Sequence, residues 1–293
     1  MADVVGRVSQ VRRFPIKSML GEELDEVWTD ERGLRGDRAF AVVDVETGTV
    51  ASAKHPRRWA RLLACRARFV TPPAARGPLP AVRIELPGGT SVTSDDARVH
   101  GVLSDMLGRE VRLAASAAPE ASYDDYWPDV EGVSPDGHRD AFTRERISPL
   151  APAGTFFDMS AFHVVSSASL LALSRVLPES QIAPARFRPN FVVELDEGVA
   201  GFVENAWVGR VLRIGPSLAM KLLMPTMRCV MTTLAQEALP DDPEVLRALV
   251  RENLIAVPDG KRYPCLGVYC SLARKLSTGG RVQQGDLCQL GLS

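Results

Sequence analysis

The sequence predicts a mainly β protein of the α+β class, in which short helices accompany an N-terminal β-barrel-like domain and a second β-barrel domain. Short apolar runs bounded by turn residues outnumber helical patterns in both halves of the chain. Between the halves, residues 115–154 carry no hydrophobic periodicity. The 293 residues are enough for two domains. We therefore expect domains at residues 1–114 and 155–293, joined by a connecting segment or lid at residues 115–154.

The composition excludes several classes of protein. Hydrophobic residues make up 45% of the chain, too many for a disordered protein, yet no run approaches the roughly 20 apolar residues of a membrane span. The 35 Lys and Arg residues balance 36 Asp and Glu residues, so no overall charge favours nucleic acid or an anionic membrane. The N-terminus lacks the apolar region and cleavage site of a signal peptide. We expect a cytoplasmic protein with no membrane anchor and no nucleic-acid partner.

The N-terminal half shows two hairpin patterns and one helix. Residues 40–53, "FAVVDVETGTVASA", contain two apolar segments around a Glu-Thr-Gly turn. Residues 81–94, "AVRIELPGGTSVTS", repeat the pattern with two glycines in the turn. Asp95 or Asp96 is expected to cap a short helix, and Gly108 is expected to end it.

The segment 115–154 mixes acidic, aromatic, Pro and Gly residues without a repeating face, which is typical of a solvated linker. Its four aromatic residues are unusual for a linker: Tyr123, Tyr126, Trp127 and Phe142. A lid or binding loop is therefore the alternative, with Tyr126 and Trp127 as candidates for contact with a substrate.

The C-terminal half begins with "FHVVSSASLLALSRVLPES", which predicts a short strand, a Ser cap and a helix. The side chains expected to be buried on this helix are Leu170, Leu171, Leu173 and Val176. Strands are predicted at "NFVVEL", "RVLRIG" and "LAMKLLM", and Pro225 is expected to end the third. A helix is expected to start with Pro243 at its first position, and "GRVQQGDLCQLGL" is expected to form one last strand.

The five cysteines do not indicate a disulfide framework or a structural metal site, because they are irregularly spaced and form no CxxC pair. Cys265 and Cys270 have the first spacing of a plant-type iron–sulfur motif, but Ala273 stands where the third cysteine belongs. Electrons handled by this protein would then come from another polypeptide or a small reductant. Four cysteines lie in or beside apolar stretches and are expected in the core: Cys65, Cys265, Cys270 and Cys288.

Two polar segments of the N-terminal half are candidates for an anion site. "RRFPIKSMLG" presents Lys17 and Ser18 at a bend, and a lysine beside a hydroxyl suits a phosphate. "RGLRGDRAF" places Asp37 between Arg35 and Arg38, so the carboxylate could hold one guanidinium while the other meets an anion. Ordinary surface lysines and salt bridges remain the alternatives.

Two further polar segments lie in the C-terminal half. In "RFRPNF", Arg188 offers a planar fork of donors and Asn190 can both donate and accept, although a structural turn is equally compatible. In "MPTMRCVMTTL", Cys229 directly follows Arg228, which we expect to lower the pKa of the thiol and favour the thiolate. A thiolate binds metals and attacks electrophiles, whereas a buried small residue is the alternative for Cys229. The residues alone do not specify a reaction.

Taken in order, these segments resemble a known family. "FPIKSMLGEELDEVWTDERGLRGDRAFAVVD" resembles the N-terminal β-barrel domain that precedes a MOSC (molybdenum cofactor sulfurase C-terminal) domain. The segments "FFDMSAFHVVSSASLLAL", "RFRPNFVVE", "MRCVMTT", "CLGVYCSL" and "GRVQQGD" resemble the MOSC domain itself. The resemblance covers nearly the whole chain. Within the family, the chain is most similar in kind to the mitochondrial amidoxime-reducing component and its bacterial counterparts.

The resemblance implies a molybdenum cofactor, in which a molybdopterin holds the metal through its dithiolene sulfurs. Cys229 matches the cysteine that binds molybdenum in the family. The matching positions for contacts to the phosphate or pterin are Lys17, Ser18, Arg38, Asp158, Ser160, Arg188, Asn190 and Arg228. Pyridoxal phosphate binding is a term for the wider family only, because this chain has no room for a separate domain of that kind. Thr226 and Met227 depart from the family pattern, which commonly has cysteine and a small polar residue there.

The implied function is reduction of N-hydroxylated substrates, such as amidoximes and hydroxylamines, with electrons from a separate donor: a ferredoxin, a cytochrome b5-like protein or a flavin reductase. Three alternatives stay open. The protein could carry the cofactor or transfer sulfur through Cys229, or it could use the same site in a natural-product pathway. It could also be a degenerate member that binds no metal.

Overall fold

The computed structural model describes residues 3–130, 133, 140–257, 260–273, 277 and 279–292. The strands of the first half are β1 (Asp3–Arg13), β2 (Glu22–Leu24), β3 (Glu26–Asp30), β4 (Gly33–Leu34), β5 (Ala41–Asp44), β6 (Arg66–Phe69), β7 (Val82–Glu85), β8 (Ser91–Thr93), β9 (Val111–Ala114), β10 (Ser122–Trp127) and β11 (Ala141–Arg146). Those of the second half are β12 (Phe162–Ser166), β13 (Phe191–Leu195), β14 (Val211–Ile214), β15 (Leu218–Met227), β16 (Leu254–Ala256), β17 (Arg262–Leu272), β18 (Gly280–Gln283) and β19 (Leu287–Gly291). The helices are α1 (Pro56–Trp59), α2 (Val99–Leu107), α3 (Ser167–Val176), α4 (Pro184–Phe187) and α5 (Glu244–Glu252).

Seven strands close into a barrel in the order β12–β13–β1–β19–β14–β15–β17, and β17 pairs back with β12. The β12–β13 pair is parallel, and the other pairs are antiparallel. Apolar side chains from every strand of the barrel fill its interior, among them Val11, Phe162, Phe191, Leu212, Met220, Val268 and Leu290. The predicted mainly β class is confirmed.

The first strand of the chain is part of this barrel. β1 pairs with β13 on one side and with β19 on the other. The close approach to β13 depends on Gly6, because a Cβ there would collide with the carbonyl of Glu194. β3 also pairs with β18. The first 30 residues and the C-terminal half therefore share two sheets, and the predicted division at residues 114 and 155 stays a prediction.

Two sheets of the N-terminal half, β5–β9 and β6–β7–β8, lie around a second core, which includes Met19, Trp59, Leu62, Ile84 and Leu103. The predicted hairpin at residues 81–94 is confirmed as β7–β8. Gly108 ends α2 in the left-handed conformation, as predicted. Asp96 accepts a hydrogen bond from the Arg98 amide, but Arg98 itself is the N-cap of α2.

The predicted hairpin at residues 40–53 forms only in part: the chain turns back after β5, and the Ala51 amide donates to the Val42 carbonyl at 2.8 Å. β5 takes β9 as its partner, and its turn returns only to a single bridge between Val43 and Val50. The segment 115–154, where no periodicity was visible, contains the β10–β11 hairpin. In β10 and β11, polar residues hide the alternation of buried and exposed side chains. In β5, the sequence does not show that the partner strand is the distant β9.

Three predictions for the C-terminal half need correction. On α3, Leu173 is buried as predicted, but Leu171 and Val176 are 45% and 42% exposed because they lie off the face that packs inward. Pro225 does not end its strand, because β15 continues to Met227. The register of β15 against β17 shifts between Pro225 and Met227, and a strand tolerates proline, which has no N–H to donate, at such irregularities. The last predicted strand is two strands, β18 and β19, which belong to different sheets.

Two further features complete the fold. α5 starts at Glu244 with Pro243 as its N-cap, one residue later than predicted. Within the described part of the chain, every helix is too short or too polar to cross a membrane.

Candidate functional site

A cleft with about 760 Å³ of empty space, including its open mouth, lies where the barrel meets the N-terminal sheets. Its N-terminal wall includes Lys17, Ser18, Arg38 and Lys54. Its C-terminal wall includes Asp158, Ser160, His163, Arg188, Asn190, Arg228, Cys229 and Tyr269. All nine residues that the family resemblance assigned to a site line this one cleft. Their individual roles remain predictions.

The backbone at the cleft is unusual at three positions. Ser18, Arg38 and Arg188 have φ angles of 65°, 46° and 53°, in the left-handed region that residues other than glycine rarely adopt. Each such residue costs of order 1–3 kcal/mol, and such conformations cluster at functional sites. Surrounding contacts hold them in place, for example the Arg38 amide donating to the Phe14 carbonyl at 2.8 Å. Holding these three residues in this conformation therefore lowers the stability of the fold while it directs their side chains into the cleft.

Asp37 lies behind the cationic wall of the cleft, which consists of the Lys17, Arg38, Arg188 and Arg228 side chains. Its buried carboxylate accepts hydrogen bonds from the Phe14 amide at 2.7 Å and from Arg38 Nη1 at 2.5 Å. The Arg38 guanidinium also stacks 4.3 Å from the centre of the Phe14 ring. Arg35, the other guanidinium considered beside Asp37, instead bonds to Asp30 and to loop carbonyls and does not line the cleft.

Asn190 acts on this wall from inside the protein. Its Oδ1 accepts from the His163 amide at 3.0 Å, and its Nδ2 donates to Asp37 at 2.8 Å and to the Arg12 carbonyl at 3.3 Å. Both amide hydrogens are thus used by the protein. The geometry makes Asn190 a residue that positions Asp37, and through it Arg38.

The two hydroxyls among the candidates also have partners in the protein. Ser18 Oγ accepts from the Ala53 amide at 3.0 Å, and Ser160 Oγ donates to the Cys270 carbonyl. Each hydroxyl oxygen retains lone pairs that a ligand could use.

Two arginines present buried donors that have no partner. Arg188 donates through Nη2 to the Met19 carbonyl at 2.8 Å, while its Nη1 is buried and unpaired. Arg228 donates through Nη2 to the Phe187 carbonyl at 3.0 Å, while its Nε is buried and unpaired. Burial, and next the neighbouring Arg38, lowers the pKa of Arg188 to about 9. Unpaired buried donors among crowded cations are an arrangement that an anionic ligand would satisfy.

Cys229 lies two residues beyond β15, at the start of the short 3-10 helix Val230–Thr232. It is half-buried and packs against a small apolar cluster that contains Ala53, Leu63 and Met231. Burial raises the pKa of the thiol, while Lys54 and Arg228 act to lower it. The expectation that Arg228 would give a lowered pKa is wrong, because burial outweighs it.

The other four cysteines are buried, which confirms their assignment to the core. Burial raises the pKa of the Cys65 thiol to about 11 and those of Cys265 and Cys288 to about 12. Of the five cysteines, Cys229 is therefore the one that a ligand can reach.

The structure adds residues that the sequence did not suggest, among them Lys54, His163 and Tyr269. Lys54 follows the small apolar run "VASA", and His163 interrupts an apolar strand; each is a polar residue where a buried one is expected. Burial and then Arg228 hold the pKa of His163 well below its usual range, so the ring is neutral. Its Nε2 has no partner in the protein.

The aromatic candidates for substrate contact lie outside the cleft lining. Tyr126 packs on Phe142 and donates to Asp140 at 2.6 Å, and Trp127 donates to Thr143 at 2.8 Å. Of the two residues that depart from the family pattern, Met227 lines the cleft, and Thr226 is buried with an unpaired hydroxyl.

Comparison with known proteins gives the family of the chain. The model of the MOSC domain matches residues 152–289, and that of the MOSC N-terminal β-barrel domain matches residues 5–99. The chain belongs to the MOSC family. Residues of both MOSC regions line the cleft, so the site depends on the two together.

Several relatives of this MOSC protein are amidoxime-reducing components. The human mitochondrial amidoxime-reducing component 1 is 28% identical over 78% of this chain and 66% of its own length. The mouse protein of the same name is 28% identical over 96% and 81%. The rat mitochondrial amidoxime reducing component 2 is 26% identical over 92% and 80%. A solved structure, the YUAD protein from Bacillus subtilis, covers both chains fully at 12% identity and a TM-score of 0.46, which is too distant to support an inference.

Proposed function

We propose that this protein is a molybdenum-cofactor-dependent reductase of N-hydroxylated compounds, such as amidoximes and hydroxylamines, that receives electrons from a separate donor protein. The observation that carries the proposal is the half-buried Cys229 in a cleft whose buried arginine donors lack partners. The amidoxime-reducing relatives support the substrate class. A ferredoxin, a cytochrome b5-like protein or a flavin reductase would suit the role of donor.

The donor set of the cleft fits a cofactor that brings a phosphate and most of the metal ligands. Among the residues that the structure describes, there is no group of three or more His, Cys, Asp or Glu side chains that could hold a metal ion. A metal in the cleft would thus take one protein thiolate, from Cys229, and its other ligands from the cofactor. Thiolates are soft ligands that suit a metal of this kind.

The cationic wall fits the phosphate. Arg188 and Arg228 each have an unpaired donor, and Arg38 is held by Asp37 and Phe14. Lys17 donates to the Phe156 carbonyl at 3.0 Å and to Asp158, which leaves one ammonium hydrogen for a ligand. These fixed donors would bind the anion without having to reorganise.

When bound, such a cofactor supplies the two-electron chemistry that removes the oxygen atom from an N–O bond. The overall reaction takes two electrons and two protons and releases one water molecule per N-hydroxy group. The chain's own part is to hold the metal through Cys229, to orient the cofactor, and to limit access of water with the Phe156, Phe157 and Phe187 side chains that line the cleft.

Molybdenum content tests the proposal. In protein from a host that makes the cofactor, we expect about one molybdenum per chain by elemental analysis, loss of the metal in Cys229→Ala, and retention in Cys65→Ala, which removes a buried cysteine outside the cleft lining. The loaded wild type should reduce an amidoxime with a chemical electron donor. A metal-free wild type would contradict the proposal.

The alternatives predict other results. Molybdenum without turnover of any N-hydroxy compound would favour a cofactor carrier. A persulfide on Cys229 in metal-free protein would favour sulfur transfer. Turnover restricted to one complex N-hydroxy compound would favour a pathway-specific enzyme.

A further inference from the structure

Four charged side chains, buried or partly buried, form a cluster at one wall of the cleft: Lys17, Lys54 and Asp158 line the wall, and Asp125 lies behind it. Lys17 and Lys54 both contact Asp158, and Lys54 lies 3.6 Å from Asp158 Oδ2. Lys54 Nζ also lies 3.0 Å from Asp125 Oδ2 and 3.4 Å from the hydroxyl of Tyr123. Asp125 and Tyr123 belong to β10, so the β10–β11 hairpin reaches the cleft through this cluster.

The two lysines differ in what they can offer a ligand. Lys17 keeps one ammonium hydrogen free, because two are used by Phe156 and Asp158. The ammonium of Lys54 meets three protein oxygens, two from β10 and one from Asp158. Lys17 is therefore the direct donor, and Lys54 influences a ligand by its charge.

The charges of the cluster cancel. Two lysines face two carboxylates, Asp125 and Asp158, and all four side chains are at least two-thirds buried. Without Lys54 the cluster would carry one net negative charge beside the place where Lys17 meets a ligand. Like charges repel strongly at a site shielded from water. Burial alone would lower the pKa of Lys54, but Asp125 and Asp158 outweigh it and raise this pKa, so the ammonium stays charged.

We propose that Lys54 is a positioning residue whose charge, held by Asp125 of the β10–β11 hairpin, keeps Lys17 available to a phosphate group in the cleft. The proposal deepens the proposed function and rests on it only for the identity of the phosphate-bearing ligand. It assigns the hairpin a part in ligand binding, although none of the described residues of β10 and β11 lines the cleft.

Charge variants test this directly. Lys54→Met gives the cluster a net charge of minus one, Asp125→Asn gives plus one, and the double variant gives zero. With inorganic pyrophosphate as the probe, titrated calorimetrically into cofactor-free protein, we expect Lys54→Met to weaken binding about tenfold, which is about 1.4 kcal/mol. Asp125→Asn should bind at least as tightly as wild type, and the double variant should return to within about twofold of wild type.

A purely structural role predicts a different order. Both single variants break the same ion pair, so both would weaken binding and lower the melting temperature alike. That result, or wild-type binding by Lys54→Met, would overturn the proposal, as would a wild type that binds no pyrophosphate. Lys54→Arg keeps the charge and should keep binding, which guards against misfolding of Lys54→Met. Because pyrophosphate binding needs no molybdenum, a metal-free protein would count against the proposed function and leave this test intact.

Discussion

Cys229 combines access with a raised pKa. Its side chain is half-buried in a cleft, and burial outweighs the nearby Lys54 and Arg228 to raise the pKa of the thiol. Without a metal, the thiolate is therefore less populated at neutral pH than in a free cysteine. A bound metal would favour the thiolate directly, because coordination requires deprotonation.

We predict that cofactor-free protein reacts slowly with iodoacetamide at pH 7, and that the rate rises with pH to half its maximum above about 8.5, the usual cysteine value. Peptide mass spectrometry should locate the modification on Cys229. The Cys229→Ala variant should show no comparable labelling, because the other four cysteines are buried. A half-maximal rate below pH 8 would contradict a thiol pKa that burial raises.

At the scale of single residues, the sequence predicted which side chains would lie together better than it predicted the pKa of Cys229. The nine candidate residues converge on one cleft because the family motifs lie at the ends of elements that meet there. Lys54 was missed because its partners, Asp125 and Asp158, are distant in sequence. The pKa of Cys229 was misjudged because a neighbouring arginine is visible in the sequence, whereas burial depends on the fold.

The junction between β12 and α3 depends on a buried carboxyl group. Glu204 accepts hydrogen bonds from the Ser166 amide at 2.6 Å and from the Ser169 hydroxyl. Ser166 in turn caps α3 by accepting from the Ser169 amide at 3.2 Å. Burial outweighs these bonds and raises the pKa of Glu204.

This predicts an unusual dependence of stability on pH. Because the folded state keeps the Glu204 proton to a higher pH than the unfolded state, the free energy of unfolding should fall as pH rises from about 4.3 through the folded pKa. Glu204→Gln should remove this fall because an amide does not titrate. Its side-chain oxygen can still accept from the Ser166 amide. Urea unfolding of both proteins at pH 5 and pH 8 measures it, and parallel changes in the two would contradict it.

Glu204→Ala is the companion variant. It leaves the buried Ser166 amide and Ser169 hydroxyl without their partner, which should cost about 1–3 kcal/mol at pH 5. The loss relative to wild type should be smaller at pH 8, where ionisation of Glu204 has already lowered the stability of the wild type. A loss of this size in Glu204→Ala, with little loss in Glu204→Gln, would separate the role of the hydrogen bonds from that of the charge.

Elements defined by local turn chemistry were predictable. The β7–β8 hairpin follows from Gly88 and Gly89, and the end of α2 follows from Gly108. Elements defined by distant partners were not: β5 pairs with β9, and Pro225 is tolerated within β15 at a register shift against β17. The alternation of a strand does not reveal which strand will lie beside it.

At the scale of the whole molecule, the fold joins the two ends of the chain. β1 lies between β13 and β19 in the closed barrel, and β3 pairs with β18. Val8 and Val11 of β1 are buried in the same core as Phe191 and Leu290. No local pattern in residues 3–13 distinguishes a strand of this barrel from a strand of a separate N-terminal domain.

The barrel should therefore not survive without the N-terminus. In the fragment 155–293, the edges of β13 and β19 would be unpaired and the core beneath β1 would be open to water, which favours aggregation. We predict that this fragment is insoluble or lacks a cooperative unfolding transition when expressed alone, and that co-expression with residues 1–154 restores a soluble complex. Circular dichroism and thermal unfolding of both preparations measure this. A soluble fragment with a cooperative transition would mean that the C-terminal residues can close a barrel without β1.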